Sequence, residues 1–135
     1  MNIDIVKLVR DSMEKMGCAN LVDEHLDGHS PICLNFGSVP DMFVECEPER
    51  IKIWSKIDYH SDQHLSSAAP DLLGYLMPRL SSYFVNQRPL LSLIDEELML
   101  HGQLDEQCAG DVEAFTDALE LFYEDLCAVH EILAR

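Results

Sequence analysis

The chain has 135 residues, 47% of them hydrophobic and 25% charged, which predicts one globular domain over 1–135 and excludes disorder. With 25 acids against 9 bases the formal net charge is −16, so the basic stripe that a nucleic-acid backbone or an anionic membrane surface demands is missing. Residues 95–135 hold twelve of the acids and a single base, Arg135. That run reads either as a solvated acidic face or as a surface attracting a basic partner.

The N-terminus has no signal-peptide pattern, and no apolar run nears the roughly 20 residues that span a bilayer, so a soluble protein without membrane insertion is expected. Five scattered cysteines, an odd number, predict reduced thiols in a cytosol.

Residues 4–16 are predicted to form an amphipathic helix, capped by Asp4, with Ile5, Val9, Met13 and Met16 on one stripe and Gly17 at its end. Alternation then predicts strands at 32–36, 42–46 and 51–57, whose short connections favour an antiparallel meander. Residues 63–85 return to helical spacing, although Pro70 and Pro78 predict a kink or a late start. A hairpin at 90–94 and 97–104 turns at Asp95-Glu96. Last comes a long helix with Val112, Phe115, Leu119, Phe122, Leu126, Val129 and Leu133 on its seam and Asp111 as its cap. Helix, three strands, helix, two strands, helix is an α+β order.

Catalytic motifs are scarce. The six glycines never cluster into a phosphate-binding loop, and no Gly-x-Ser-x-Gly elbow occurs. Cys18, His25, His29 and Cys33 are zinc-competent ligand types, but their spacing lacks the tight knuckle of a zinc module. The stronger reading is two loop histidines and two thiols packed as small hydrophobes. His60 and His64 stand four apart without the adjacent Glu that a metalloprotease uses as general base, and Ser61 or Asp62 suits a helix cap better. Cys127 and His130 share a helical face near a C-terminus, where the dipole does not favour a thiolate.

Two features ask for a partner. With Ile32, Leu34, Phe36, Met42, Val44, Cys46, Ile51, Ile53 and Ile57 facing a core, the other side of the three strands carries Cys33, Asn35, Phe43, Glu45, Lys52, Trp54 and Lys56. Aromatics on such a face are either covered by another element or form a binding surface, and an open sheet edge beside them suits strand addition. The apolar stripe of the 63–85 helix is also wider than one contact consumes, which suggests two-fold self-association.

The strings Asp4-Ile5-Val6-Lys7-Leu8-Val9-Arg10-Asp11-Ser12, Gly17-Cys18, Leu26-Asp27-Gly28-His29-Ser30, Val39-Pro40 and Ile53-Trp54 resemble class I type III secretion chaperones of the InvB/SpaK kind, as does the acidic closing helix from Phe115 through Phe122-Tyr123. The resemblance runs over essentially the whole chain. It implies an α-β-β-β-α-β-β-α domain with a twisted antiparallel sheet flanked by helices, in a cytoplasmic bacterial homodimer. Such a protein has no enzymatic activity and no cofactor. It holds the N-terminal chaperone-binding segment of a secreted effector in extended form and directs it to the export ATPase. By the same resemblance Leu8, Phe43 and Trp54 would meet the effector, and Leu72, Leu73, Leu76, Met77 and Leu80 would form the dimer interface. Pro70 and Pro78 depart from the continuous dimer helix of relatives. The alternatives from other classes are a metal-dependent enzyme on the Cys18/His25/His29/Cys33 set or the His60/His64 pair, and an acidic adaptor for a folded basic partner.

Overall fold

The computed structural model describes residues 3–22 and 26–135. Helix α1 (Ile5–Lys15) starts where the Asp4 carboxylate accepts the Lys7 N–H at 3.1 Å, and it ends before Gly17, whose φ of +72° suits glycine. A single 3-10 turn at Ala19–Leu21 follows. Strands β1 (Ile32–Leu34), β2 (Met42–Glu47) and β3 (Arg50–Ile57) form the expected meander. β1 is two residues shorter than its alternation suggests. Phe36 has left the strand and packs on the Tyr123 ring, with centroids 4.7 Å apart.

Helix α2 (Asp62–Leu76) is capped by Ser61, whose hydroxyl accepts the His64 N–H at 3.1 Å. It runs through Pro70 and ends nine residues before the expected boundary. Pro78 has no N–H to continue the ladder, and the chain turns away. Asn86 and Gln87, both with positive φ, then redirect it into β4 (Leu90–Ile94). β5 (Glu97–Gln103) returns across the two-residue Asp95-Glu96 turn, where both residues adopt the left-handed conformation of a tight hairpin. Helix α3 (Val112–Ala134) closes the chain under an Asp111 cap, and every predicted seam residue except Val112 is buried.

The sheet is antiparallel throughout, in the order β1-β2-β3-β5-β4, so β1 and β4 are its edges. α1 and α2 each pack on α3, and the core forms between these helices and one face of the sheet. Ile32, Leu34, Val44, Ile53 and Leu100 meet Val9, Met13, Phe115, Phe122 and Leu126 there. Phe84, which continued the apolar spacing of the expected longer helix, instead plugs this core. Its ring lies 2.9 Å from where a Cβ on Gly102 would stand, and the Pro89 backbone lies just beyond. Gly102→Ala is therefore expected to lose about 1–3 kcal/mol of stability in urea unfolding, because the buried Phe84 ring has no room to retreat. An unchanged midpoint would mean that the plug yields freely.

Candidate functional site

Strand pairing sets one row of side chains across the whole sheet. Cys33 faces Phe43, Phe43 faces Trp54, Trp54 faces His101, and His101 faces Leu90. Strand alternation puts this row opposite the core, on the side away from the helices. Phe43 and Trp54 stack with centroids 4.2 Å apart and planes 15° from parallel, and each is half-buried. Of the two sequence readings, cover by another element or a binding surface, cover is limited to the margin. The segment leading into β4 borders the row with Val85, Asn86 and Arg88, making an open groove of about 450 Å³ floored by Trp54 and His101.

His101 is a half-buried polar group of the groove. Its Nε2 lies 2.9 Å from Ser92 Oγ, and burial lowers its pKa from the ordinary histidine value. His101, Leu90 and Arg88 were not singled out from the sequence. The alternation of β5, with Leu98 and Leu100 inward, carried the signal for His101, whereas Arg88 precedes its strand and has no pattern to mark it.

A second apolar surface joins α2 to β4. Leu73, Met77 and Leu80 are each more than half exposed, and Leu93 across from them is 52% exposed. Between α2 and β4 lies a groove of about 440 Å³ lined by Leu65, Ala69, Leu73, Leu76, Met77 and Leu93 among others. Leu76 is half-buried, while Leu72 points inward and is 4% exposed. Four of the five residues matched to a dimer face thus reach the surface, and Leu72 supports them from the core. Leu90 and Leu93 enlarge the surface beyond what the helix pattern indicated, whereas the exposed Ile94 lines the Trp54 groove.

Leu8 is half-buried on α1, in the helical layer, so the sheet separates it from the Phe43–Trp54 pair. The end of α1 instead borders a groove of about 370 Å³ with Met13, Met16, Phe36, Met42, Leu119 and Tyr123.

His25 of the suggested metal set lies outside the described residues, and His29 and Cys33 are exposed. Partial desolvation, together with the Asp41 carboxylate that also hydrogen-bonds it, raises the Cys33 thiol. The Cys18 thiol donates to the Met16 carbonyl at 3.5 Å. Among the described residues no three His, Cys, Asp or Glu side chains converge as ligands. His60 and His64 meet edge to face, 4.8 Å apart, at the start of α2. Cys127 and His130 are half-buried on α3, where a hydrogen bond with Cys127 is the main cause raising the Tyr123 pKa.

The acidic run is largely occupied within the molecule. Glu97 pairs with Lys56, Glu113 with Lys15, Glu124 and Asp125 with Arg79, and Glu131 with Arg135. Asp117 accepts the Tyr83 hydroxyl, and Asp105 and Asp111 cap helical turns. No helix of the described residues is long and apolar enough to cross a membrane.

The fold has solved counterparts. A chain of the heterodimeric ExoU–SpcU complex from the type III secretion system of Pseudomonas aeruginosa superposes with a TM-score of 0.59 at 16% identity, covering 93% of both chains. YbjN from E. coli superposes equally well, at 15% identity, with 98% of this chain and 96% of that one covered. Two such different counterparts show the fold alone. Sequence comparison is more specific. SpaK, the surface presentation of antigens protein of Salmonella typhimurium strain LT2, is 28% identical over 135 residues, covering 99% of this chain and 98% of SpaK. SpaK of Salmonella typhi matches to the same extent. The model of the Invasion protein B family matches residues 17–95. The chain belongs to the Invasion protein B family, that is, to the InvB/SpaK type of type III secretion chaperone and to no enzyme class.

Proposed function

We propose that this protein acts in the bacterial cytoplasm as a homodimer. There it would bind the N-terminal chaperone-binding segment of one or more secreted effectors, keep that segment extended and help deliver it to the export ATPase. The observation that carries this reading is the uncovered row with the stacked Phe43–Trp54 pair at its centre. A rigid aromatic platform anchors a chain segment with little ordering of its own, and Trp is enriched among residues that dominate binding. The unpaired edges of β1 and β4 offer backbone groups to an extended segment on either side of the sheet. Docking such a segment costs about 2–5 kcal/mol in ordering, offset by burial of roughly 1,000–3,000 Å². Leu8, on the other side, would then meet a different stretch of the same segment as it wraps the domain.

Self-association would use the α2–β4 surface, whose groove is lined by apolar groups with Arg88 as the one charged residue among the described residues. The remaining acidity would keep the loaded dimer dispersed and steer encounter.

Trp54→Ala is expected to reduce effector capture at least about tenfold while leaving the dimer intact, since an anchor at the centre of a platform carries a disproportionate share of affinity. The measurement is co-purification from secretion-induced native cells, read by mass spectrometry beside light scattering of the purified protein. Recovery of the N-terminal region of a secreted protein by the native chain supports the reading, and its absence overturns it. Equal recovery by the variant removes Trp54 from the site.

A further inference from the structure

Among the basic residues of this acidic chain, Arg88 stands apart. Lys15, Lys52, Lys56, Arg79 and Arg135 are each held by carboxylates, and Lys7, Arg10 and Arg50 are exposed. Arg88 is half-buried beside the Trp54–His101 floor and has no ion pair or hydrogen bond among the described residues. A guanidinium held partly out of water without a partner forfeits hydration and gains nothing in the free protein. The groove it lines carries two bases, Lys52 and Arg88, against the single acid Glu45, within a chain at −16. Lys52 is held by Glu47 at 3.2 Å and stands opposite Glu45 across β2 and β3, so the base of the groove left without a carboxylate is Arg88, at the other end.

We propose that the groove between Trp54 and Arg88 selects an extended peptide carrying an apolar side chain and, two residues away, a carboxylate. The apolar side chain lies on the Trp54–His101 floor, and the carboxylate takes the Arg88 guanidinium. The spacing follows from the sheet. Trp54 and Leu90 are two strand spacings apart, about 10 Å, and Arg88 stands two residues before Leu90, about 7 Å further along the chain; side chains on one face of an extended peptide recur every ~7 Å, and an arginine side chain reaching back into the groove covers the remainder. A planar fork of donors matched to a carboxylate gives direction as well as affinity. The inference rests on the chaperone reading for the identity of the occupant, an effector segment, and supplies the chemistry by which that segment is chosen.

Trp54 is the chain's only tryptophan, so its fluorescence reports on this groove alone. The probes are two peptides, acetyl-Ser-Thr-Leu-Thr-Glu-Thr-Ser-amide and its twin with Gln in place of Glu, titrated into the full-length native protein and into Arg88→Gln. The native protein is expected to bind the Glu peptide about five- to tenfold more tightly than the Gln peptide, a preference that shrinks with added salt. Arg88→Gln is expected to bind both alike, with the affinity the native protein shows for the Gln peptide. Lys52→Gln, whose native side chain is already paired with Glu47, is expected to keep most of the preference. Equal binding of the two peptides by the native protein overturns the proposal, as does the absence of any Trp54 response. A Trp54 signal that changes on dilution of the protein alone, and that neither peptide displaces, means a second copy fills the groove and also overturns it. The titration needs no effector. A peptide preference without effector capture would sink the chaperone reading and spare the groove, whereas capture with no peptide preference would do the reverse.

Discussion

Arg79→Ala is expected to lower stability by about 3 kcal/mol at neutral pH. Asp125 on α3 is 1% exposed, and the Arg79 Nε hydrogen-bonds its Oδ1. Tyr75 donates to the same oxygen at 3.2 Å, while the other oxygen, Oδ2, has no hydrogen-bond partner among the described residues. The guanidinium also reaches Glu124 at 3.1 Å and lies 5.1 Å from the centre of the Tyr75 ring. Burial, together with the neighbouring Asp125 charge, pushes Tyr75 up to about 12, so it remains a donor throughout the accessible range. The cluster fastens the end of α2 to α3. Removing Arg79 strands a buried carboxylate, and this costs more than the net worth of the pair.

The pH dependence has a definite sign. Burial raises the Asp125 pKa above the ordinary value, with Arg79 and the Tyr75 hydroxyl opposing it. The folded protein therefore holds this proton at pH values where the unfolded chain has released it, and stability falls as pH rises through that window. Without Arg79 the opposition weakens and the fall steepens. The Arg79→Ala deficit is thus expected to be greatest near pH 7 and to shrink as pH drops toward the carboxyl range, measured by urea unfolding at several pH values. Arg79→Ala combined with Asp125→Asn should recover a large part of the loss at neutral pH. A deficit that is flat with pH and unrelieved by the second change would assign Arg79 a packing role on Tyr75 only.

Those parts of the fold written in local periodicity were legible in the sequence. The alternation of β3 and the seam of α3 predict their buried faces, and Asp4, Ser61 and Asp111 cap helices because short polar side chains satisfy first-turn N–H groups. The end of α2 was not legible, because Phe84 continues an apolar spacing that tertiary packing uses for a different purpose, as a plug over Gly102. For the site, Trp54 and Phe43 stood out as aromatics on the polar side of an alternating strand. Their stacking and the row extending through His101 to Leu90 depend on register between strands distant in sequence, which no local pattern encodes. Arg88 is harder still: what distinguishes it is that no carboxylate of the described residues pairs with it, and that is a property of the folded neighbourhood.

Leu73→Lys combined with Met77→Lys is expected to convert the proposed dimer to monomers without unfolding them. Both side chains are more than half exposed in the single chain, 56% and 59%, so the substitutions remove nothing from its core. Burying side chains of this size at an interface is worth about 1.5–3 kcal/mol each, and two-fold symmetry makes every substitution count twice. Four like charges brought toward the axis add repulsion to that loss, and lysine leaves the acidic chain no closer to self-repulsion than before. The check is light scattering over a dilution series, with circular dichroism and thermal unfolding to establish that the fold survives. Leu72→Lys provides the contrast, because Leu72 is buried within the protomer and its replacement should unfold the chain instead of separating copies. A native protein that is monomeric at all concentrations, or a double variant that stays dimeric, would move self-association away from α2 and β4. Separation into folded monomers would also place the two Trp54 platforms on independent bodies, so an effector segment long enough to reach both should lose far more affinity than a short peptide confined to one groove.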